Sequence, residues 1–282
     1  MKKYVMLICA MFCLWLAGCG AAESETSQRP QEDTWSYALT VHEEKGEAKA
    51  DDGRVVATYR YQVPEMTTAA GTPSAEETAA MDAFNDYFAG WLTNGRLGEF
   101  EWLADGARED YAMVLDKNGK PQEDSFWNDQ AYAYVSETDT AFWDNGRLLC
   151  VSLSNYLFSG GAHGNGVRGA ELFDLRNGKH IVWQELMADQ EGLNKAVISQ
   201  MLDQAQKLLE QGEEGTTLYE DYADSLQEWT DRTVLFDQNG MSVIYAPYDI
   251  APYAAGEQVF TIPYEIITPY LNDYGREVLE LS

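Results

Sequence analysis

A two-residue alternation of apolar and polar positions opens the body of the chain. Trp35, Tyr37, Leu39 and Val41 alternate with Ser36, Ala38, Thr40 and His42, and Val55, Ala57, Tyr59, Tyr61 and Val63 repeat the pattern. That period predicts two half-buried strands. Asp51-Asp52-Gly53 between them predicts a hairpin turn, and Pro64 the end of the second strand. The period then lengthens. Met81, Phe84, Phe88 and Trp91 share one face of a helix predicted over 74–92, opened by a capping box of Ser74 and Glu77 and stopped at Gly95. After a turn-rich stretch around Lys117-Asn118-Gly119, strand patterns return at 131–135. They continue at 141–143 and 149–157 around Asp144-Asn145-Gly146, and at 171–175 and 179–183 around Asn177-Gly178. A second helix is expected over 189–211, with Leu193, Val197, Met201, Ala205 and Leu208 on one side. A shorter one follows from Thr217, capped by Glu220, and then a hairpin of 233–236 and 241–245 turned by Asn239-Gly240. Hairpins interspersed with helices, without a βαβ rhythm, indicate an α+β fold: antiparallel sheet hairpins packed with two or three helices.

Ahead of this body, Lys2 and Lys3 precede an apolar stretch over 4–18. A membrane span needs about 20 apolar residues, so the stretch is too short for one. A basic head, an apolar middle and small residues near the end are the layout of a secretory signal. The stretch closes on Leu16-Ala17-Gly18-Cys19, which resembles the bacterial lipobox. The resemblance implies cleavage before Cys19, a diacylglycerol on its thiol, and an extracytoplasmic protein anchored to the cell membrane. One acyl chain holds only marginally, whereas two or more hold firmly. Residues 20–33 carry no large apolar side chain, so they read as a flexible tether reaching roughly 20 Å. The expected organisation is a lipoprotein signal peptide over 1–18, a tether over 19–34 and a folded part from Trp35.

Composition narrows the partners. With 45% hydrophobic and 12% aromatic residues, the chain can build a substantial core, in one large domain or two smaller ones sharing an interface. The net charge is -28, and becomes -30 when Lys2 and Lys3 leave with the signal. Nucleic acid is excluded as a partner, because its binding rests on Lys and Arg neutralising phosphates. A cationic partner would be steered toward such a surface, although high charge also serves solubility. Once the signal is cleaved and Cys19 carries lipid, Cys150 is the one thiol left, so no intramolecular disulfide forms. It sits in an apolar strand and reads as a small buried side chain.

Little in the sequence points to a reaction. The loop over 159–169 is glycine-rich, and His163 in it could contact a ligand or simply bond a neighbouring carbonyl or carboxylate. Gly164-x-Gly166-x-x-Gly169 imitates the dinucleotide fingerprint, but a strand pattern follows where that fingerprint needs a helix. His42, His163 and His180 are widely spaced and no Cys pair remains, so no metal and no cofactor are expected. Asp116-Lys117-Asn118-Gly119 and Asp237-Gln238-Asn239-Gly240 start like calcium loops without the closing Glu, and read as turns. There is no Gly-x-Ser-x-Gly elbow, and Ser159 near His163 is the one local nucleophile–base pair. Trp127, Tyr132, Tyr134, Trp143, Tyr248 and Tyr253 could form a contact platform. Most are expected in cross-strand packing, with Tyr248 and Tyr253, beside prolines, the better exposed pair.

Four separated elements occur in order: Tyr156-Leu157-Phe158-Ser159-Gly160-Gly161-Ala162-His163, Phe173-Asp174-Leu175-Arg176-Asn177-Gly178-Lys179, the stretch from Tyr245 to Gly256, and Ile262-Pro263-Tyr264. Together they resemble the paired extracytoplasmic modules of RsiV-type anti-sigma factors and PdaC-type peptidoglycan deacetylases. The resemblance implies a PdaC-like module over 35–168, an RsiV-like module over 169–282, and a binding role. In RsiV-type proteins the equivalent region is a lysozyme receptor. No sigma-binding segment precedes the signal here, and no His-x-x-x-His or Asp-Asp deacetylase motif is present. The expectation is therefore a lipid-anchored surface binding module, not an enzyme, for lysozyme, another cationic protein or cell-wall glycan. Its ligand-binding residues would be Ser159, Gly160, Gly161, His163, Tyr248 and Tyr253. The alternatives are an envelope hydrolase centred on the His163 loop and a structural or assembly lipoprotein.

Overall fold

The computed structural model describes residues 36–211 and 218–281. The first hairpin forms as its period and turn require: β1 (Ser36–Lys49) pairs antiparallel with β2 (Val55–Ala70), and Gly53 turns the chain at φ +89°. Pro64 does not end β2, which runs on to Ala70. The reason lies at its far edge. Beyond Tyr61, no described strand pairs with β2 on the side away from β1. The Met66 N–H points to that side, donating to Asn85 Oδ1 at 2.8 Å. N–H groups two residues apart on a strand point the same way, so Pro64 lacks its donor where no ladder bond is due. Asn85 Nδ2 donates back to the Met66 carbonyl at 3.0 Å. One amide side chain thus stands in for a partner strand.

Asn85 belongs to α1 (Ala75–Gly90), which begins at the expected capping box. Glu77 N donates to Ser74 Oγ at 3.2 Å and Ser74 N to Glu77 Oε2 at 2.7 Å. Gly95 does not stop the helix, because its backbone never enters the left-handed region. A π-helical turn over Trp91–Arg96 carries the chain into α2 (Leu97–Met113), a helix beyond those expected from the sequence. Phe100, Leu103, Ala104, Ala107 and Tyr111, spaced by three and four, bury one face of α2. Helix and π turn return the chain to β3 (Tyr134–Asp144), which lies parallel to Ala57–Tyr61 of β2 and departs from the antiparallel pattern expected. β4 (Leu148–Phe158), β5 (Asn165–Asp174) and β6 (Lys179–Ile181) then add in sequence, giving a six-stranded sheet in the order β1-β2-β3-β4-β5-β6. The division expected at 168/169 passes through the middle of β5, which pairs with β4 along its length.

α3 (Gln190–Gln211) matches the second expected helix. The shorter one is Tyr222–Ser225, and its expected start at Thr217 lies outside the described residues. The last expected hairpin, β7 (Thr233–Asp237) and β8 (Gly240–Tyr245), gains a third strand, β9 (Gln258–Ile262), and short helices at Tyr264–Ile267 and Asp273–Val278 follow.

The core explains why β4 opens on an unbroken apolar run, Leu148-Leu149-Cys150-Val151. Leu149, Val151 and Leu153 pack with Phe84, Phe88 and Phe173 under α1, while Leu148 and Cys150 face the opposite way, into the cluster built by α3 and the three-stranded sheet. A strand covered on both faces needs apolar side chains at both parities. Burial pushes the Cys150 thiol up to about 11. At the other end of the sheet, Arg147 clasps buried Asp174 with Nε at 2.6 Å and Nη2 at 3.0 Å, and Tyr274 Oη donates to the same carboxylate at 3.2 Å. The signal, Cys19, the tether and Trp35 all lie outside the described residues. Among those described, no helix is long and apolar enough to cross a membrane.

Candidate functional site

The six residues singled out from sequence gather at the connection between β4 and β5, over 159–164, but they divide between its two ends. At the far end His163 stacks on Tyr253 with ring centroids 3.8 Å apart and planes 16° from parallel, and Tyr248 lies 5.6 Å from Tyr253. The hydrogen bonds fix the imidazole tautomer. His163 Nδ1 is 3.1 Å from the Gly164 carbonyl, which can only accept, so Nδ1 carries the proton. Nε2 of the neutral ring then accepts from the Tyr248 hydroxyl, also at 3.1 Å. Tyr253 Oη donates to the same Gly164 carbonyl at 2.9 Å. Gly164 is required where it stands, because a Cβ there would lie 2.5 Å from the Tyr156 ring and 2.7 Å from the Leu157 carbonyl.

Tyr248 holds φ at +76°, a left-handed backbone unusual for a bulky residue. The turn around it maintains the strain. Tyr248 N donates to Ala251 O at 3.0 Å, Asp249 N to Ala246 O at 3.0 Å, and Ala246 N to Asp249 Oδ2 at 2.9 Å. The ring is left 51% exposed. Strained residues of this kind concentrate where a side chain must be presented in one orientation.

At the near end, Ser159, Gly160 and Gly161 line a cleft of about 540 Å³. Its other walls are the end of α2 (Asp110, Met113, Val114), the segment 122–127, and Tyr132 and Tyr134 where β3 begins. A smaller hollow of about 310 Å³ adjoins it through Tyr134 and Ser159, walled by Trp102, Asp105 and Glu109 of α2. The Tyr134 hydroxyl donates to Asp110, and burial together with that carboxylate drives the phenol well above its ordinary pKa. Tyr132 is raised in the same direction by burial and by the Asp110 charge. Trp127, Tyr132 and Tyr134 pack on one another as expected of core aromatics, and Phe126 stacks on Tyr132 at 5.8 Å and 18°.

Ser159 and His163 do not form a dyad: both imidazole nitrogens are bonded to other partners, Gly164 O and the Tyr248 hydroxyl. Among the described residues no group of three His, Cys, Asp or Glu is placed to hold a metal. The residues of the Asp110–Phe126 wall escaped the sequence reading. Their one local signal is the 3–4 spacing of α2; the rest of the cleft comes from segments that only the fold brings together.

Three comparisons bear on this architecture. Residues 181–265, which hold α3 and the whole three-stranded sheet, match the model of DUF3298, a protein family of unknown function. No curated protein matches the chain. Among solved structures, a DUF3298 member from Bacteroides fragilis superposes with a TM-score of 0.62 at 18% identity, covering 89% of this chain and 99% of that one. A DUF3298 protein from Pseudomonas aeruginosa gives 0.48 at 16% identity, covering 86% and 96%. The first likeness shows a shared fold.

Proposed function

We propose that this chain is a binding module rather than a catalyst, held outside the cytoplasm by acyl chains on Cys19, with a contact face built on the 159–164 connection. One observation carries the reading: a His163–Tyr253–Tyr248 ring stack, with His163 and Tyr248 exposed and Tyr253 half-buried between them against the expectation that it is exposed, held by a strained tyrosine, with neither imidazole nitrogen bonded to the nearby Ser159 hydroxyl. Large rings with a polar edge give contact area and direction at little entropic cost. The motifs resembling RsiV-type and PdaC-type modules support a receptor-like role, and the DUF3298 match over 181–265 contains the last two of those motifs. A net charge of -28 favours a cationic protein of the lysozyme kind as partner.

Binding of the lipidated chain to lysozyme across a salt series tests this. Micromolar or tighter affinity that falls with salt, and that weakens about tenfold or more in Tyr248→Ala, is expected. No binding even at low ionic strength removes the lysozyme version. The stacked rings also suit the apolar face of a sugar, so capture of peptidoglycan fragments in the same assay would transfer the reading to cell-wall glycan. Turnover of those fragments, lost in His163→Ala with the fold intact, would instead establish a hydrolase.

A further inference from the structure

Large apolar side chains left in water are ordinary when scattered and informative when gathered. Among the described residues the three most exposed are Trp102 at 70%, Met113 at 71% and Phe126 at 70%. All three stand on the walls of the two adjoining hollows beside α2. The charge of those walls has one sign. Asp110 and Asp124 line the larger hollow, Asp105 and Glu109 the smaller, and neither lining includes a Lys or Arg. Asp105 is bridged by Arg108 at 2.7 Å, and Asp110 accepts from Tyr134, so Asp124, Glu109 and the remaining capacity of Asp110 face whatever enters. Ring faces beside carboxylates, in a recess about 540 Å³ in size, match one ligand chemistry: a cation carried on an aliphatic stem. The stem covers ring and thioether surface while the head meets carboxylates and the exposed face of Phe126 that is turned away from Tyr132.

We infer that this cleft seats the guanidinium or ammonium group of an Arg or Lys side chain presented by a basic protein partner. The inference rests on the binding-module reading and specifies where and how that module grips. A neutral, N-acetylated glycan offers no cation to the carboxylates, so it fits the walls less well than a basic side chain does.

The test uses the full lipidated chain in detergent micelles, with Trp fluorescence as the signal, since Trp127 lines the cleft. The probe is an amidated tetra-arginine peptide, and its control the tetra-citrulline peptide, which keeps the shape and loses the charge. Saturable binding of the arginine peptide and none of the citrulline peptide is expected. Asp110→Asn with Asp124→Asn should weaken it at least tenfold and lower its salt dependence, and Phe126→Ala should weaken it several-fold. Phe126 is 70% exposed, so this variant removes little packing beyond its stack on Tyr132. Asp203→Asn with Glu210→Gln, on exposed positions of α3, removes the same charge elsewhere. If that remote pair weakens binding as much as the cleft pair, the attraction is diffuse and the inference is overturned. Lysozyme run on the same variants separates the two claims. Lysozyme bound equally by wild type and cleft variants overturns the cleft and leaves the module reading standing. Arginine peptide bound in the cleft without any lysozyme binding upholds the cleft and removes lysozyme as partner.

Discussion

Gly160→Ala and Gly161→Ala form a matched pair that probes how the cleft is built. Both glycines hold a left-handed backbone, φ +92° and +89°, so an alanine at either incurs the same conformational cost, about 1–2 kcal/mol. Their surroundings differ. A Cβ at Gly161 meets nothing within 4 Å, whereas at Gly160 it would stand 2.9 Å from Tyr134 Oη and 3.3 Å from two ring carbons. Tyr134 cannot swing aside freely: it is 5% exposed and its hydroxyl is held by Asp110. Displacing the ring sacrifices a hydrogen bond to a carboxylate, worth about 1.5–3 kcal/mol. Gly161→Ala should therefore cost about 1–2 kcal/mol and Gly160→Ala about 2.5–5 kcal/mol. In a body of this size 1 kcal/mol moves Tm by about 2–4 °C, so Gly160→Ala should melt roughly 3–12 °C below its neighbour. Calorimetric melts of the two variants side by side give the answer. Equal melting temperatures, or a lower one for Gly161→Ala, would refute the idea that Tyr134 is fixed by Asp110 and that this fixed ring shapes the cleft floor.

Four further outcomes follow from packing and charge. Arg147→Ala leaves the buried Asp174 carboxylate without its bidentate partner and should cost about 3–5 kcal/mol in urea unfolding. Burial alone would raise the Asp174 pKa, yet the Arg147 guanidinium and the Arg176 N–H hold it below the usual carboxylate range. A depressed carboxylate contributes stability above its unfolded pKa of about 3.9 and loses it as pH falls through the folded value. Wild type should therefore weaken steeply below about pH 4, and Asp174→Asn, already weaker at pH 7, should show a shallower slope there. Asn85→Ala unpairs the Met66 N–H at the open edge of β2, so that amide should exchange with solvent markedly faster, with about 1–3 kcal/mol lost overall. Cys150, with its thiol pushed up to about 11 and buried, should resist a thiol reagent at pH 8 in the folded protein and react once urea unfolds it.

Local chemistry made much of the fold legible. Turns at Gly53, Gly146, Gly178 and Gly240 lie where Asp or Asn precedes a glycine, and all four take positive φ. Ser74 and Glu77 marked the start of α1. What escaped was non-local. Gly95 read as a stop because a glycine ends a helix only when it turns left-handed, and that depends on what packs beyond it. Pro64 read as a strand end because the sequence does not show which edge of β2 is open. β9 escaped because no Asn-Gly or Asp-Gly turn joins Gln258–Ile262 to the hairpin before it, and the β2–β3 pairing joins strands with two helices between them. The ring stack at 163, 248 and 253 was half legible: the residues stood out, their contact did not. The wall from Asp110 to Phe126 was not, since the rings and carboxylates of the cleft meet only in three dimensions.

The parallel pair also requires the longest chain closure within the six-stranded sheet. β1 and β2 close through a short turn and need only neighbours in sequence, but Ala57 must find Tyr134 across the whole α1–α2 segment. Closing so long a loop adds entropy cost and slows the step. Until then the far side of β2 is an open ladder on which a second nascent chain could align. Pro64 removes one donor from that ladder, and Asn85 occupies another donor–acceptor pair as soon as α1 docks. Where the two strands part, Gln62 takes over: it accepts from Thr140 N at 2.9 Å and its carbonyl from Thr140 Oγ1 at 2.7 Å. A proline, an asparagine and a glutamine thus guard the longest-range seam of the sheet against mispairing.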